Sequence, residues 1–340
     1  MTETTEAKAE REIKPIKIAV RGCYDIQKLR IQTGNRIAAN FRVKIGVEPS
    51  EKPDAATDKI LKQLRRDYAL ITEGMVNKMP TLKKFKGKGI IDDYTEFVLV
   101  AQYEQIYNVE VQAFKNLEKL LDEIPIWNEF LKGVRGVGKS MAGVIISEID
   151  IAKAKYVSSL WKFSGLDVAE DGKGRSRRKE HLIDVEYTDK EGNIKTKKSI
   201  TFNPFLKTKL TGVLGGSFLK AGGPYADVYY GYKNRLENHP DHKEKTKGHR
   251  HNMAVRYTVK CFLKDLYRIW RKLEDLPVHP PYSEAKLGMA PHESPSLDAP
   301  GAAPAMAQQA AAPPRVRRSV RNTRLSSRTR LRGRRRRAGR

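Results

Sequence analysis

The stretch GVRGVGKS, residues 133–140, has the residue types and spacing of a phosphate-binding loop. Four residues separate Gly133 from Gly138, and Lys139 and Ser140 follow, as in the loop of P-loop NTPases. That loop follows a buried β-strand, whereas the preceding residues, EIPIWNEFLK, contain no run of β-branched side chains. No apolar strand that ends in an aspartate for Mg²⁺ is recognisable downstream. An NTPase is therefore the weakest of three interpretations of this stretch.

A helix–hairpin–helix motif explains the same glycines better. Gly136 and Gly138 permit a tight turn between two helices, and Val137 would enter the core between them. The free amides and the positive dipole end of the second helix, with Lys139 and Ser140, would then face a DNA or RNA phosphate. Such contacts read the backbone rather than the base sequence. The alternative is a plain corner between two helices.

Four histidines lie close together in the Lys-rich segment ENHPDHKEKTKGHRHN, at His239, His242, His249 and His251. Histidine is a common zinc ligand, but no cysteine accompanies it here. Contacts with phosphates or bases are therefore favoured for His249 and His251, with Arg250 between them. We assign no metal-ligating residue.

Two further clusters have a functional and a structural explanation. Asp92, Asp93 and Glu96 precede a predicted helix, where they would bind a metal ion or favour the positive end of the helix dipole. We prefer the second explanation. A tyrosine-rich segment beside Lys233 and Arg235 could stack on unpaired bases, although its helical spacing fits core packing. Its rings are Tyr225, Tyr229, Tyr230 and Tyr232.

The elements that would position these residues are mainly helical. Residues 97–124 carry an apolar stripe at intervals of three to five. This stripe suits a helical hairpin, a homodimer seam through 97–123, or a face buried in the same domain. A second strong helix is predicted over 249–273. The stripe consists of Ile106, Val109, Phe114, Leu117 and Leu121.

The fold class that follows is mainly α, with one inserted β-hairpin. Residues 181–202 alternate apolar and polar side chains around Glu191-Gly192-Asn193, which predicts the hairpin. Composition then divides the chain into four parts. We expect disorder over 1–15, a helical region over 16–123, a helix–hairpin–helix domain over 124–287, and a disordered Ala/Pro-rich then Arg-rich tail over 288–340.

The charge of the chain indicates a polyanionic partner. The formal net charge is +26, and the 13 arginines of residues 315–340 supply half of it, so the remainder of the chain is itself basic. The N-terminus lacks the apolar core of a signal peptide, and no apolar run approaches the roughly 18 residues that span a bilayer. We expect a cytoplasmic, nucleoid-associated protein that does not bind membranes.

Four segments in order resemble one known domain. They are GVRGVGKSMAGVIISEI (133–149), YVSSLWKFSGL (156–166), FNPFLKTKLTGVL (202–214) and HRHNMAVRYTVKCFLKDLYRIWR (249–271). Together they resemble the C-terminal transposase domain of DEDD-type insertion-sequence transposases, the RNA-guided recombinases. The resemblance covers about residues 95–287, and Arg256 stands at the arginine of that family's Ala-x-Arg motif.

The resemblance implies a serine nucleophile in the basic loop after GL. Here that loop is DVAEDGKGRSRRKEH (167–181), and Ser176 is its one serine. The flanking cations would hold a scissile phosphate and stabilise its developing charge. A solvated loop serine is the alternative. The flanking cations are Arg175, Arg177, Arg178 and Lys179.

The chain also departs from the family. Members carry an N-terminal ribonuclease-H-like domain with four metal-binding acids, and the stretch IKIAVRGCYDIQ has no matching strand. Mg²⁺ is therefore expected as a cofactor only if another chain supplies an acidic domain. The sequence predicts a DNA-binding transposase or recombinase that acts in transposition of a mobile element or in site-specific recombination, with structured RNA as a further partner. The alternative is a non-catalytic DNA- or RNA-binding protein derived from a transposase.

Overall fold

The computed structural model describes residues 5–48, 53–75, 79–281 and 285 of the chain. These residues are mainly helical and include one antiparallel hairpin, so the predicted fold class is confirmed. The predicted tail, 288–340, lies outside the described residues. Within them, no helix is both long enough and apolar enough to cross a membrane.

Two long connections, 72–93 and 164–182, interrupt the order of elements, and a π-helical turn, Lys209–Leu214, joins two of the helices directly. The strands are β1 (Ile183–Thr188) and β2 (Ile194–Ser199). The helices are α1 (Thr5–Phe41), α2 (Pro53–Ile71), α3 (Tyr94–Leu121), α4 (Pro125–Glu129), α5 (Lys139–Glu148), α6 (Val157–Phe163), α7 (Pro204–Thr208), α8 (Gly215–Ala221), α9 (Pro224–Asn238), α10 (Pro240–Lys243) and α11 (Lys247–Leu273).

Helix α1 begins earlier than the sequence predicted. We expected disorder over residues 1–15, and the structure places residues 5–15 in the helix. The reason lies in the segment TEAKAEREIK, whose alanine, glutamate, lysine and arginine residues are strong helix formers. Polarity alone was therefore a poor guide to disorder here.

The main hydrophobic core crosses the domain boundary predicted at 123/124. Ile16 and Val20 of α1 pack with Leu117 of α3 and with the buried face of α5. The helices pack closely at Gly143 of α5, where a Cβ atom would lie 3.1 Å from the Leu117 side chain and 3.2 Å from that of Val20. A smaller core joins α1, α2 and α3 around Phe97. Helices α1 and α3 are thus part of the framework that holds α5.

Most of the stripe predicted as a dimer seam packs within the chain. Leu117 and Leu121 are fully buried in the main core, and Phe114 packs edge-on against Tyr24 of α1. Val109 is 54% exposed. The buried-face alternative therefore explains α3 at these positions. A homodimer through 97–123 stays a prediction, and the stripe leaves little apolar surface free for a second chain.

The predicted β-hairpin is confirmed over 183–199. Its register pairs Ile183 with Ser199 and Thr188 with Ile194. The Asp189 carboxylate accepts hydrogen bonds from the backbone N–H groups of Glu191 and Asn193, both at 2.9 Å, which closes the turn.

The glycine-rich stretch forms a turn between helical segments. A 3₁₀ turn, Leu131–Gly133, precedes it where a P-loop would follow a β-strand, so the NTPase interpretation lacks its structural context. Gly136 has φ +93°, and Val137 is buried, as the helix–hairpin–helix interpretation requires. Ala142 of α5 is fully buried in the same core.

Replacing Gly136 with alanine should lower the free energy of unfolding by about 1–3 kcal/mol, the cost of a strained backbone conformation. A Cβ atom would also lie 3.1 Å from the backbone of both Phe218 and Ser217. Urea unfolding measures the change. Gly138→Ala is the matched control: Gly138 has φ −89° and open space around its Cβ position, so its loss should stay well below that of Gly136→Ala. Equal losses would contradict the tight turn.

Candidate nucleic-acid interface

A cavity of about 620 Å³ lies between one face of α11 and the loop that follows α6. Five lysine and arginine side chains and one histidine line it, together with two tyrosines. Among the described residues that line it, none is acidic. The basic set is Lys173, Arg178, Lys245, His249, Arg256 and Lys260.

Helix α11 presents a polar stripe to this cavity and an apolar stripe to the core. His249, Met253, Arg256, Tyr257 and Lys260 line the cavity and recur three or four residues apart, so they share one face. The opposite face is buried and anchors the helix. Its buried apolar residues include Ala254, Val255, Val259, Phe262, Leu263 and Leu266.

Arg256 ties the loop to α11. Its guanidinium donates to the carbonyl oxygens of Gly165, at 3.2 Å, and Asp167, at 3.3 Å. The Asp167 carboxylate in turn accepts from Nε and Nη2 of Arg175 at 3.0 and 2.9 Å. Arg175 therefore holds the loop. Asp167 was not singled out by the sequence analysis.

The cations of this region are crowded and partly desolvated. Burial lowers the pKa of Arg256, and Asp167 opposes the effect. Burial, and then repulsion from Arg256, lowers the pKa of Lys260. Burial lowers the pKa of Lys207 to about 8, with repulsion from Arg256 adding to the shift. A bound anion would relieve this repulsion, so the site favours negatively charged ligands.

Replacing Lys207 with methionine should raise the free energy of unfolding at pH 7, and the gain should shrink between about pH 8 and pH 10.5. The folded-state pKa of about 8 lies below the ordinary value of 10.5. In that window the unfolded chain binds more protons than the folded chain, so wild-type stability rises with pH. Urea unfolding at closely spaced pH values measures the difference.

The matched control for this prediction is Lys220→Met on α8, where the lysine is exposed. Its difference from wild type should stay constant across the same window. A constant difference for Lys207→Met as well would show that the Lys207 ammonium is fully solvated in the folded chain.

Two tyrosines form a platform at the cavity wall. Tyr232 of α9 and Tyr257 of α11 stack with ring centroids 3.9 Å apart and an interplanar angle of 8°. Burial raises the pKa of Tyr257 to about 12. Tyr225 and Tyr229 are buried, so core packing explains them, while Tyr230 is 57% exposed. Of the four tyrosines considered for base stacking, Tyr232 is the one that lines the cavity.

Ser176 lies in the loop beside the cavity and contacts a histidine that the sequence analysis missed. Its backbone N–H donates to Nδ1 of His181 at 2.9 Å, and its Oγ lies 2.9 Å from the same nitrogen. Nε2 of His181 lies 3.2 Å from a carboxylate oxygen of Asp171. Arg177 and Lys179 are exposed on the same loop. In the sequence His181 follows the one serine of the loop by five residues, which is no recognisable motif.

A lysine from α7 completes the surroundings of Ser176. The Nζ atom of Lys207 donates to the carbonyl oxygen of Arg175 at 2.5 Å, next to the Ser176 amide. Asn203 places Lys207 there, because its side chain caps the start of α7 by accepting from the Leu206 N–H. Lys207 lies within the segment FNPFLKTKLTGVL, but the sequence analysis did not single it out as a site residue.

The predicted hairpin residues Gly136, Gly138, Lys139 and Ser140 do not line the cavity. No side chain caps the N-terminus of α5, which begins at Lys139. The Lys139 ammonium forms an ion pair with Asp122 at 3.0 Å and so lies against the end of α3. That ion pair lowers the pKa of the Asp122 carboxyl. The hairpin and the cavity are separate candidate contacts.

The four predicted histidines have different surroundings. His249 lines the cavity, whereas His251 lies 2.6 Å from the Tyr229 hydroxyl. His239 and His242 stack with centroids 5.0 Å apart. Arg250 donates to the Lys243 carbonyl oxygen at 2.7 Å. In the part of the chain that the structure describes, no three His, Cys, Asp or Glu side chains are grouped for a metal ion.

The acidic cluster before α3 has a structural role. Asp93 is the N-cap of α3, and its carboxylate accepts from the Thr95 N–H at 2.6 Å. Glu96 completes the capping box, and Lys44 pairs with Asp92 and Glu96. This arrangement agrees with the preferred, helix-terminal explanation of the cluster.

Comparison of the chain with protein-family models, with curated proteins and with solved structures finds no match.

Proposed function

We propose that this chain binds nucleic-acid phosphates at the cavity beside α11 and acts in DNA transposition or site-specific recombination. The observation that carries the proposal is the lining of that cavity, with five lysine and arginine side chains and no acid among its described residues. Lys245, Arg256 and Lys260 are half-buried, and like charges that are partly removed from water are unfavourable without an anion, which a phosphate supplies. Burial lowers the pKa of Arg256 and of Lys260, which supports this argument.

An extended polyanion fits better than a small free anion. The cavity volume of about 620 Å³ is enough for a nucleotide unit. The exposed Arg177 and Lys179 continue the basic surface along the loop beyond the cavity. The stacked Tyr232 and Tyr257 offer an aromatic surface for an unpaired base. Phosphates along a strand would therefore meet several cations at once.

The proposed catalytic group is Ser176, which would attack a phosphodiester within this basic surface. DNA is the proposed substrate and structured RNA a further ligand, which would place the protein at the cytoplasmic nucleoid. The uncapped N-terminus of α5 behind Gly136 and Gly138 would give a second backbone contact. A non-catalytic DNA- or RNA-binding protein is the alternative, and it predicts binding without a covalent protein–DNA product.

The test of binding is a salt titration of the full chain with a fluorescent 30-base-pair duplex. The logarithm of the association constant should fall linearly with the logarithm of salt concentration, with a slope of about −0.9 per phosphate neutralised. Single-stranded DNA and a hairpin RNA serve as parallel ligands. A slope near zero with all three ligands would refute the nucleic-acid proposal.

A further inference from the structure

We propose that His181 is the general base for Ser176, and that the Asp171 carboxylate positions the imidazole ring and balances its positive charge. The three residues then form a nucleophile relay for phosphoryl transfer. The proposal rests on the proposed function, because it concerns the same loop and the same class of substrate. Its geometric basis is the pair of contacts on the two ring nitrogens, 2.9 Å from Nδ1 to Ser176 Oγ and 3.2 Å from Nε2 to Asp171.

The backbone fixes the tautomer that a base requires. Because the Ser176 N–H donates to Nδ1 of His181 at 2.9 Å, Nδ1 carries the lone pair in the neutral ring. Nε2 then carries the hydrogen and donates it to the Asp171 carboxylate. The same lone pair lies within reach of the Ser176 hydroxyl, so Nδ1 can take the hydroxyl proton as its contact with the Ser176 N–H lengthens. A base needs a proton donor within about 2.6–3.2 Å, and the separation of 2.9 Å satisfies this.

Burial separates the three members by role. The His181 side chain is 1% exposed, whereas Ser176 is half-buried. Asp171 is partly exposed, and a hydrogen bond from the Lys173 N–H, followed by the His181 ring, lowers the pKa of its carboxyl. Asp171 is therefore an anion at neutral pH and can stabilise the imidazolium formed when His181 takes a proton.

The charges around the relay favour a phosphodiester over a neutral ester. The Arg178 backbone N–H donates to Ser176 Oγ at 3.3 Å, so it can stabilise negative charge on the attacking oxygen. The Lys207 ammonium donates to the Arg175 carbonyl oxygen, next to Ser176, and Arg177 is exposed on the same loop. Cations placed around a nucleophile stabilise the equatorial oxygens of a phosphoryl group in the transition state.

With the probe bis(4-nitrophenyl) phosphate, Ser176 Oγ forms a bond to phosphorus, and the bond from phosphorus to one nitrophenolate oxygen breaks. The hydroxyl proton passes to Nδ1 of His181, and the electron pair of the broken bond leaves on 4-nitrophenolate. The product is a serine esterified to 4-nitrophenyl phosphate, with no oxidant or further reactant.

The experiment treats the full chain with this probe and follows nitrophenolate release and the mass of the Ser176 peptide. Wild type should release one nitrophenolate per chain and carry the adduct on Ser176. His181→Asn should react at least about 10²-fold more slowly, the usual contribution of a general base. Ser158→Ala on α6 and His239→Asn are matched controls that should react as wild type.

Two further measurements distinguish a general base from a residue that only stabilises the fold of the loop. In His181→Ala, added imidazoles should restore the reaction, with rates that rise with imidazole basicity. If His181 only stabilised the loop, the rescue would depend on the shape of the added ring alone. Asp171→Asn should move the pH–rate curve to lower pH, because the carboxylate that stabilises the imidazolium is gone. The neighbouring charges of Lys173, Arg178 and Lys207 are unchanged in that variant.

The outcomes are distinct from those for the proposed function. Wild-type rates in His181→Asn, or rescue of His181→Ala that does not depend on basicity, would overturn the relay while salt-dependent DNA binding stands. Reaction with 4-nitrophenyl acetate but not with the phosphodiester would overturn its assignment to phosphoryl transfer. Absence of any adduct in wild type would overturn the relay, and absence of DNA binding would overturn the proposed function.

Discussion

Replacing Phe262 with alanine should lower the free energy of unfolding by about 3–5 kcal/mol, the range for deleting a buried aromatic ring. Phe262 is fully buried on α11. Its ring centroid lies 5.6 Å from those of Phe218 and Tyr225 and 6.1 Å from that of Phe130. These rings come from α8, α9 and the segment after α4, so one truncation opens a cavity where four segments meet.

The size of this loss matters because a folded domain is stable by only about 5–15 kcal/mol. Urea or thermal unfolding, followed by circular dichroism, gives the change. Leu273→Ala is the matched control at the end of the same helix, where the side chain is 39% exposed, and it should change stability by less than about 0.5 kcal/mol. A loss below about 1 kcal/mol for Phe262→Ala would contradict the aromatic core.

The position of α11 was predictable because its signal is local. Apolar residues recur with helical spacing from Met253 to Trp270, and the structure forms a helix over the whole predicted range. The β-hairpin was predictable for the same reason, because its signal is the alternation of side chains around Glu191-Gly192-Asn193. In the structure Gly192 adopts φ +86° at that turn. The partners of α1 were not predictable. Ile16 and Val20 carry no sign that they pack on Leu117, a hundred residues away.

Part of the cavity lining was visible in the sequence, but Lys173, Lys245 and Lys260 were not singled out. Basic residues such as Arg178 and Arg256 stood out by type, and the structure brings both to one cavity. The contacts of Ser176 depend on how its loop folds back. Gly172, with φ +72°, lies in the turn that returns the chain past Asp171 toward His181. Such a reversal is set by tertiary contacts, so spacing alone could not identify the histidine.

The connection between the loop and α11 explains why binding and catalysis would share one framework. Arg256 holds the carbonyl groups of Gly165 and Asp167, and Asp167 holds Arg175, the residue before Ser176. Ser176 is therefore positioned from the same helix that lines the cavity. A phosphate bound beside Arg256 would lie within the framework that orients Ser176, without a separate closure step.

Replacing Arg178, Lys245 and Lys260 together with glutamine should lower the affinity of the full chain for duplex DNA about 10²–10³-fold at 0.1 M salt. All three side chains line the cavity. If each neutralises one phosphate, the slope of log affinity against log salt should become less steep by about 2.7, which corresponds to this loss at 0.1 M. Fluorescence anisotropy across a salt series measures both quantities.

The control for this variant removes the same charge elsewhere. Lys59, Lys115 and Lys119 are exposed on α2 and α3 and do not line the cavity, so their joint replacement with glutamine should weaken binding by less than about tenfold. Both variants keep the 13 arginines of residues 315–340, so any attraction from that segment cancels in the comparison. Equal losses in the two variants would mean that net charge, and not the cavity, holds the nucleic acid.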